Sequence, residues 1–202
     1  MAEHSPDLVG VCEVDEDTFY DCLLPEMTKR GFDGIWHKKY SDMKDGPALF
    51  WLRDKLKLEN SLVYQLNGKD SQIAILSALS LIEGGRAMTV AVTHLKAKVG
   101  FEDLRQRQVK SLLAKIGEFD GGLTRPRIVM GDFNDEPWSL AADAMRASSF
   151  ESVYTLPVSH DDVFVEPHGR MAPWTTWKKR SHELKHTIDF IWFAGCSPSI
   201  RT

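Results

Sequence analysis

The segment that decides the fold is Arg127-Ile128-Val129-Met130-Gly131-Asp132-Phe133-Asn134, in which an apolar run ends in four residues that include two polar side chains. The apolar run predicts a strand over Arg127–Met130. Because residues two apart in an extended chain project to the same side, Asp132 and Asn134 should point together off the end of this strand. A carboxylate could bind a cation or hold an attacking water, and an amide could bind a phosphoryl oxygen. The alternative is an ordinary turn, which Gly, Asp and Asn also favour.

A second segment upstream has the same arrangement. Thr93-His94-Leu95-Lys96-Ala97-Lys98 follows the apolar run Val90-Ala91-Val92. His94 could donate a hydrogen bond to a phosphate or protonate a leaving oxygen, and Lys96 and Lys98 could flank the same anion. The alternative is a histidine that only satisfies hydrogen bonds at the end of a strand.

Two acidic residues lie where burial would be costly. Glu13 follows the short apolar run Leu8–Val11, and Asp189 interrupts the predicted strand Thr187–Phe193. A buried carboxylate needs a partner or a metal ion, although ordinary hydrogen bonding could also account for Asp189. Taken together, the four polar positions predict a metal and phosphate site that is assembled from several strands.

The rest of the chain alternates between strand-like and helical patterns, which predicts an α/β fold in which strands dominate. We expect one helix from Asp15 or Asp17 to about Arg30, capped by one of these acids, kinked or split by Pro25 and ended by Gly31. Two further helices are expected over Phe101–Phe119 and, capped by Ser139, over Leu140–Ala147. Further strands are expected over Ala48–Leu52, Leu62–Tyr64, Ile73–Leu81 and Met88–Thr93, the last two joined by a turn at Gly84-Gly85.

Composition restricts the function classes. The formal net charge of −4 argues against a generic binder of polyanions, so phosphate recognition would need a local basic cluster. The chain has three such clusters, which could also be ordinary solvated surface charge: Lys38-Lys39, Lys96 with Lys98, and Lys178-Lys179-Arg180. No apolar run approaches the roughly 20 residues that cross a bilayer, so we expect no membrane partner.

Cysteine usage indicates the compartment. There are 3 cysteines and no C-x-x-C pair, which argues against a disulfide framework or a zinc site and favours a reducing environment. We expect a cytoplasmic protein. A mitochondrial location is the alternative if a targeting segment precedes this chain.

The motifs resemble, in order, those of the endonuclease/exonuclease/phosphatase superfamily, and within it the branch of poly(A) deadenylases and nocturnin-like phosphatases. The matching segments extend over nearly the whole chain. They are Glu13-Val14-Asp15, Asp45-Gly46 before Ala48-Leu49-Phe50, Thr93–Ala97, Gly131–Asn134 and His186–Trp192. Trp174-Thr175-Thr176-Trp177-Lys178 resembles the nocturnin-like members more than the deadenylases.

The resemblance implies a four-layered α/β sandwich of two mixed sheets flanked by helices, and it implies site roles. Glu13 resembles the principal Mg²⁺ ligand, with Mn²⁺ as a possible substitute. Asp132 resembles the residue that orients or deprotonates the attacking water, and Asn134 the amide that steadies the phosphate. His94 resembles the histidine that contacts the scissile phosphate, and Asp189 the carboxylate that orients a final catalytic histidine.

The resemblance also implies a substrate. Five cations match residues that grip substrate phosphates: Lys39, Lys96, Lys98, Lys178 and Arg180. The nocturnin-like branch implies Mg²⁺-dependent removal of the 2′-phosphate of NADP(H). The alternatives are 3′-exonucleolytic removal of poly(A) from mRNA, and a catalytically degenerate module that only binds nucleotides or RNA. Trp36 or Trp177 could stack on an adenine of either substrate.

Three departures from the family pattern stand out. Cys12 occupies the position before Glu13 where the family usually has Gln. The family's first strand, which carries an active-site Asn, would precede Met1, and its closing Ser-Asp-His would follow Thr202. We therefore expect residues 1–202 to form a single partial domain, incomplete at both edges, with little or no turnover by itself.

Overall fold

The computed structural model describes residues 5–40, 43–68, 72–155, 164–166, 169–171, 174–179 and 183–195. Within these residues the helices are α1 (Leu24–Lys29), which directly follows a π-helical turn over Thr18–Leu23, α2 (Glu102–Asp120) and α3 (Leu140–Ala147). The strands are β1 (Leu8–Asp15), β2 (Phe32–Trp36), β3 (Asp45–Leu52), β4 (Leu56–Gln65), β5 (Ile73–Leu81), β6 (Ala87–His94), β7 (Arg127–Asp132), β8 (Glu151–Ser152), β9 (Phe164–Glu166), β10 (Gly169–Met171), β11 (Thr176–Lys179), β12 (Glu183–His186) and β13 (Asp189–Ala194).

The strands form a large sheet, a small sheet and two hairpins. The large sheet has six strands in the order β4-β5-β6-β7-β13-β8, and it is mixed because β6 and β7 are parallel while the other pairs are antiparallel. The small sheet has the order β1-β3-β2, and both of its described pairs are antiparallel. Strands β9 and β10 pair with each other, as do β11 and β12. The prediction of two mixed sheets therefore holds for the large sheet and not for the described strands of the small one.

Three apolar clusters show that the elements stack in four layers. The first joins α2 and α3 to one face of the large sheet and contains Leu112, Met145 and Trp192. The second joins the other face of the large sheet to the small sheet and contains Leu49 and Leu79. The third joins the outer face of the small sheet to the segment Thr18–Lys29. The four-layered α/β arrangement expected from the sequence is confirmed.

Most predicted elements agree with the structure to within a few residues, but β4 begins at Leu56, six residues before the predicted start at Leu62. Ser139 caps α3 by accepting a hydrogen bond from the backbone N–H of Ala142, as expected. The N-terminal helix is split, with Pro25 in the first turn of α1, and it ends before Gly31, which has a left-handed φ of 88°. Of the two acids predicted as caps, Asp17 has helical backbone angles and makes no side-chain capping bond, whereas Asp15 directly precedes the first helical residues.

Gly131 allows the end of β7 to approach β6 closely. Its φ is 141°, and a side chain at this position would overlap the backbone carbonyl oxygen of Thr93. The glycine thus sets the spacing of the two strand ends that carry His94 and Asp132. None of the described helices has the length and the apolar content that crossing a membrane requires.

Candidate active site

Three neighbouring strands of the large sheet bring their polar residues to one edge. In the register of the parallel pair β6 and β7, His94 lies beside Asp132. In the antiparallel pair β7 and β13, Asp189 lies beside Asp132 from the other side. Residues separated by about forty to sixty positions in the chain therefore form one row across the sheet.

Acidic residues of both sheets lie close enough to Asp132 to influence its pKa. Burial is the main cause that raises the pKa of Asp132 to about 6, while the backbone N–H of Asn134 acts in the opposite direction. The negative charges of Asp189 and Glu13 raise this pKa further, and Lys178 lowers it. Since Glu13 belongs to the small sheet, the site draws acidic groups from both sheets.

The local backbone of β1 places Glu13. The register of β1 against β3 shifts between Val11 and Val14, and within this irregularity Glu13 is exposed and has a φ of 58°. A β-bulge of this kind re-aims the side chain that it carries. Next to it, the Cys12 thiol donates to the backbone oxygen of Thr93 at 3.3 Å and so links the two sheets. Burial is the largest influence on this thiol and raises the pKa of Cys12 to about 11.

His94 is buried and neutral. Burial and, secondly, the charge of Lys39 lower the pKa of His94 to about 4. The Lys39 ammonium lies 3.2 Å from His94 Nδ1 and, as an ammonium, can only donate. Nδ1 is then the acceptor, so the ring proton sits on Nε2, which lies 3.8 Å from Asp132 Oδ2. This tautomer can donate a hydrogen bond to a phosphate oxygen, and its low pKa favours that role over proton transfer to a leaving group.

Asn134 and Asp189 are held by specific hydrogen bonds. The Asn134 backbone N–H donates to Asp132 Oδ1 at 2.7 Å, and its side-chain amide donates to the Leu95 oxygen at 3.1 Å, with φ at 50°. The Asp189 carboxylate accepts a hydrogen bond from Thr176 Oγ1 at 3.3 Å. The Tyr154 hydroxyl donates to the backbone oxygen of Asp189 at 2.6 Å.

The five expected phosphate-gripping cations are not equivalent. Lys178 lies on β11 and is exposed, and it is close enough to influence the pKa of Asp132. Lys39 is buried, and its ammonium pairs with Asp45 and lies against His94. Lys96 lies over the Phe101 ring at 5.2 Å. Lys98 is exposed with a φ of 82°. Arg180 lies outside the described residues.

Arg105, which lies within the predicted helix Phe101–Phe119, joins the two loops of the site. Its guanidinium donates to the backbone oxygens of Lys96 and Lys98 at 3.1 and 2.9 Å. Its Nε also forms an ion pair at 2.9 Å with Asp135, in the loop after β7. Both charged side chains are buried, and Gln108 adds a bond to the backbone N–H of Lys96 at 3.0 Å. The sequence of α2 gave no signal for this role of Arg105, because its pattern does not show whether Arg105 or Arg107 faces the sheet.

Trp36 and Trp177, the two candidates for stacking on an adenine, differ in their exposure to solvent. Trp36 is buried, and its indole N–H donates to the Val14 oxygen at 2.8 Å, so it cannot stack on a base. Trp177 is exposed on β11.

A cavity of about 410 Å³ also opens beside Asp132 and Asp189, but most of its walls are apolar residues of β1, β7 and β13, so it does not suit a phosphate.

The donor set fits a hard divalent cation. Among the described residues, no three His, Cys, Asp or Glu side chains form a group that could enclose a metal ion. Mg²⁺, however, usually keeps several waters and binds one or two carboxylates together with substrate phosphate oxygens. Glu13 and Asp189 add negative charge around the partly desolvated Asp132, and a bound cation would relieve this repulsion. These residues therefore fit Mg²⁺ or Mn²⁺ at Glu13.

The fold and the site define a class of protein. The family model described as "Endonuclease/Exonuclease/phosphatase family" matches residues 1–200, and the chain belongs to that family. Within the family it is similar to nocturnin. Human nocturnin is 34% identical over 212 residues, a match that covers 98% of this chain and 48% of nocturnin. An Arabidopsis thaliana protein, carbon catabolite repressor protein 4 homolog 1, is 23% identical over 241 residues, with 100% of this chain and 38% of that protein covered.

A solved structure gives the same result. The human nocturnin catalytic domain with bound sulfate anion superimposes with a TM-score of 0.79 and 32% identity, covering 94% of this chain and 69% of that one. The chain spans about half the length of the human nocturnin sequence that it matches.

Proposed function

We propose that this protein hydrolyses a phosphate ester with the help of Mg²⁺, and that the ester is the 2′-phosphate of NADP(H). The observation that carries the proposal is that Asp132 and Asp189 lie side by side on neighbouring strands of the large sheet, with Glu13 of the small sheet close enough for its charge to act on Asp132. Carboxylates gathered around a desolvated edge that also carries a lysine suit a cation and a phosphate together.

Each residue has a distinct task in the proposed reaction. Bound Mg²⁺, held by Glu13, would supply positive charge that neutralises the phosphate. Asp132 orients the attacking water and accepts its proton as the water oxygen bonds to phosphorus. The bond between phosphorus and the ribose 2′-oxygen breaks, and that oxygen takes up a proton from water. Neutral His94 donates from Nε2 to a phosphate oxygen. Asn134 steadies the same phosphate, and Lys178 balances its charge.

The choice of NADP(H) over poly(A) RNA has support from the comparisons. The chain is 34% identical to human nocturnin and 23% identical to the Arabidopsis carbon catabolite repressor protein 4 homolog 1. The Trp174–Lys178 segment, which resembles nocturnin-like members, also supplies Thr176, the hydrogen-bond donor to the Asp189 carboxylate.

The test uses the protein expressed from its full reading frame. It is incubated with Mg²⁺ and either NADP⁺ or an A-tailed RNA, and free phosphate and RNA length are measured. We expect phosphate release from NADP⁺ that stops when the metal is chelated. Glu13→Gln should lower the rate by roughly 10²–10³-fold, the usual cost of losing one such group. Glu83→Gln, in the exposed turn at the far end of β6 from His94, is the matched control and should leave the rate unchanged.

The other outcomes are equally informative. Shortening of the RNA without phosphate release from NADP⁺ would establish the deadenylase alternative. Nucleotide binding without any turnover would favour the degenerate binding module. Hydrolysis at the unchanged rate in excess chelator, or in Glu13→Gln, would refute the metal role.

A further inference from the structure

The hairpin of β11 and β12 brings Lys178 close enough to Asp132 to lower its pKa, although the hairpin belongs to neither main sheet. The β11 side of its base bonds the large sheet through two threonines. Thr176 Oγ1 donates to the Asp189 carboxylate at 3.3 Å. The Thr175 hydroxyl oxygen accepts the backbone N–H of Asp189 at 3.1 Å. These bonds fix the start of β11 against the start of β13.

An acid from the loop after β7 holds the β12 side of the base. Glu136 Oε1 lies 2.6 Å from Nδ1 of His186, which is the last residue of β12. Glu136 Oε2 accepts the backbone N–H of Thr187 at 3.4 Å. Because an ionised carboxylate can only accept a hydrogen bond, Nδ1 of His186 carries a proton and donates. One carboxylate thus binds two successive residues of the segment that joins β12 to β13.

This contact links the hairpin to the loop of the candidate active site. Glu136 lies four residues after Asp132 in the chain. In the register of the hairpin, His186 lies across from Thr176, and Lys178 lies two residues further along β11. Side chains two apart on a strand project to the same face, so Lys178 shares the face of Thr176. The direction in which the hairpin leaves the large sheet therefore decides where Lys178 lies relative to Asp132.

The partial exposure of the pair favours a role in orientation over a role in stability. The side chain of Glu136 is 25% exposed and that of His186 is 37% exposed. Ion pairs open to water add little to the free energy of unfolding, because solvent screens the charges. A hydrogen bond to a carboxylate is nevertheless short and strongly directional, so it can fix the orientation of the segment that it holds.

We propose that Glu136 and His186 are positioning residues, which hold the β11–β12 hairpin so that Lys178 faces the substrate phosphate. This role rests on the proposed function, because the phosphate concerned is the one hydrolysed beside Asp132. Both residues act through Lys178 and not on the reacting atoms. Loss of the pair therefore weakens substrate binding and leaves the chemical step in place.

Steady-state hydrolysis of NADP⁺ by the full-length protein tests the pair. Glu136→Ala and His186→Ala should each raise KM about fivefold to tenfold and leave kcat within about twofold of the parent value. Glu136→Gln should keep most of the affinity, because its amide oxygen can still accept from Nδ1. Glu118→Ala, which removes an exposed acid paired with Lys115 on α2, is the control and should change neither constant.

A double-mutant cycle separates positioning from a general structural role. Lys178→Gln should raise KM about tenfold, and adding Glu136→Ala should raise it less than about twofold further, because the pair acts through Lys178. Independent effects would multiply instead. Hydrogen exchange gives a readout without catalysis: peptides from β11 and β12 should exchange several-fold faster in Glu136→Ala, whereas β6 and β7 should keep their rates.

Three results would overturn the proposal: equal KM in Glu136→Ala and Glu118→Ala, multiplied effects in the double variant, or unchanged hydrogen exchange in the hairpin. Absence of NADP⁺ hydrolysis in the unchanged protein would refute the proposed function instead. Hydrogen exchange would then decide by itself whether Glu136 holds the hairpin.

Discussion

Burial and the neighbouring carboxylates of Asp189 and Glu13 all raise the pKa of Asp132. The folded protein binds a proton at this position more tightly than the unfolded chain does, because the pKa is about 6 when folded and 3.8 as the ordinary value. Ionised Asp132 therefore costs folding free energy. This cost is absent below pH 3.8, grows as the pH rises, and is complete above about pH 6.

Asp132→Asn should consequently stabilise the metal-free protein at neutral pH. The gain in unfolding free energy over the parent should be roughly 1–3 kcal/mol at pH 7.5 and should shrink toward zero as the pH falls to about 4. Chemical denaturation in EDTA at both pH values measures it. Asp54→Asn, which changes an exposed acid in a turn, is the control. A difference between Asp132→Asn and its parent that does not vary with pH would contradict the electrostatic picture.

At the scale of elements, α2 fixes the loops that follow β6 and β7. Arg105 reaches both loops, since it bonds the backbone of Lys96 and Lys98 and pairs with Asp135. Arginine suits this position because its planar guanidinium presents several donors in fixed directions, which the single ammonium of lysine cannot do. Arg105 is thus a positioning residue for the cations of the Lys96–Lys98 loop.

The variant Arg105→Lys tests whether Arg105 positions the two loops or only supports folding. The charge opposite Asp135 is kept, so the protein should fold, whereas the bonds to the two loop carbonyls are not all replaced. We expect KM for the phosphate substrate to rise about tenfold or more, with a smaller change in kcat. Arg107→Lys, an exposed arginine of the same helix, should change neither constant. If KM of Arg105→Lys matches that of Arg107→Lys, Arg105 has only a structural role.

The sequence predicted those elements and residues whose signals are local. The apolar runs before His94 and Asp132 identified β6 and β7, and both residues lie at the predicted strand ends. Strand β2 was missed, because Phe32-Asp33-Gly34-Ile35-Trp36 is short and contains Gly and Asp, which are rare in strands. The parallel pairing of β6 with β7 and the left-handed backbone of Glu13 were also not predictable, because tertiary contacts decide both.

At the scale of the whole molecule, the site depends on how the two sheets pack. The face between them is apolar, and Leu79 of β5 is fully buried there with Leu49 and Trp51 of the small sheet. Glu13 belongs to one sheet, and Asp132, Asp189 and His94 belong to the other. The geometry of the site is therefore set by the same packing that stabilises the fold.

Leu79→Ala tests that packing. Removing a fully buried leucine leaves a cavity and should lower the unfolding free energy by about 2–5 kcal/mol. Ile82→Ala, just beyond the end of β5, removes an exposed side chain and should change it by less than about 0.5 kcal/mol. Urea denaturation followed by circular dichroism gives both values. Equal losses in the two variants would show that the packing of the sheets does not govern stability.

Strand β1, which carries Glu13, pairs on one side only among the described strands, with β3. A strand held along a single edge frays more readily than the central strands of a sheet, so its amide protons should exchange with solvent sooner than those of β6 or β7. On warming, Glu13 would then lose its position while most of the molecule is still folded. We therefore expect the proposed hydrolysis to be lost on heating before the molecule as a whole unfolds.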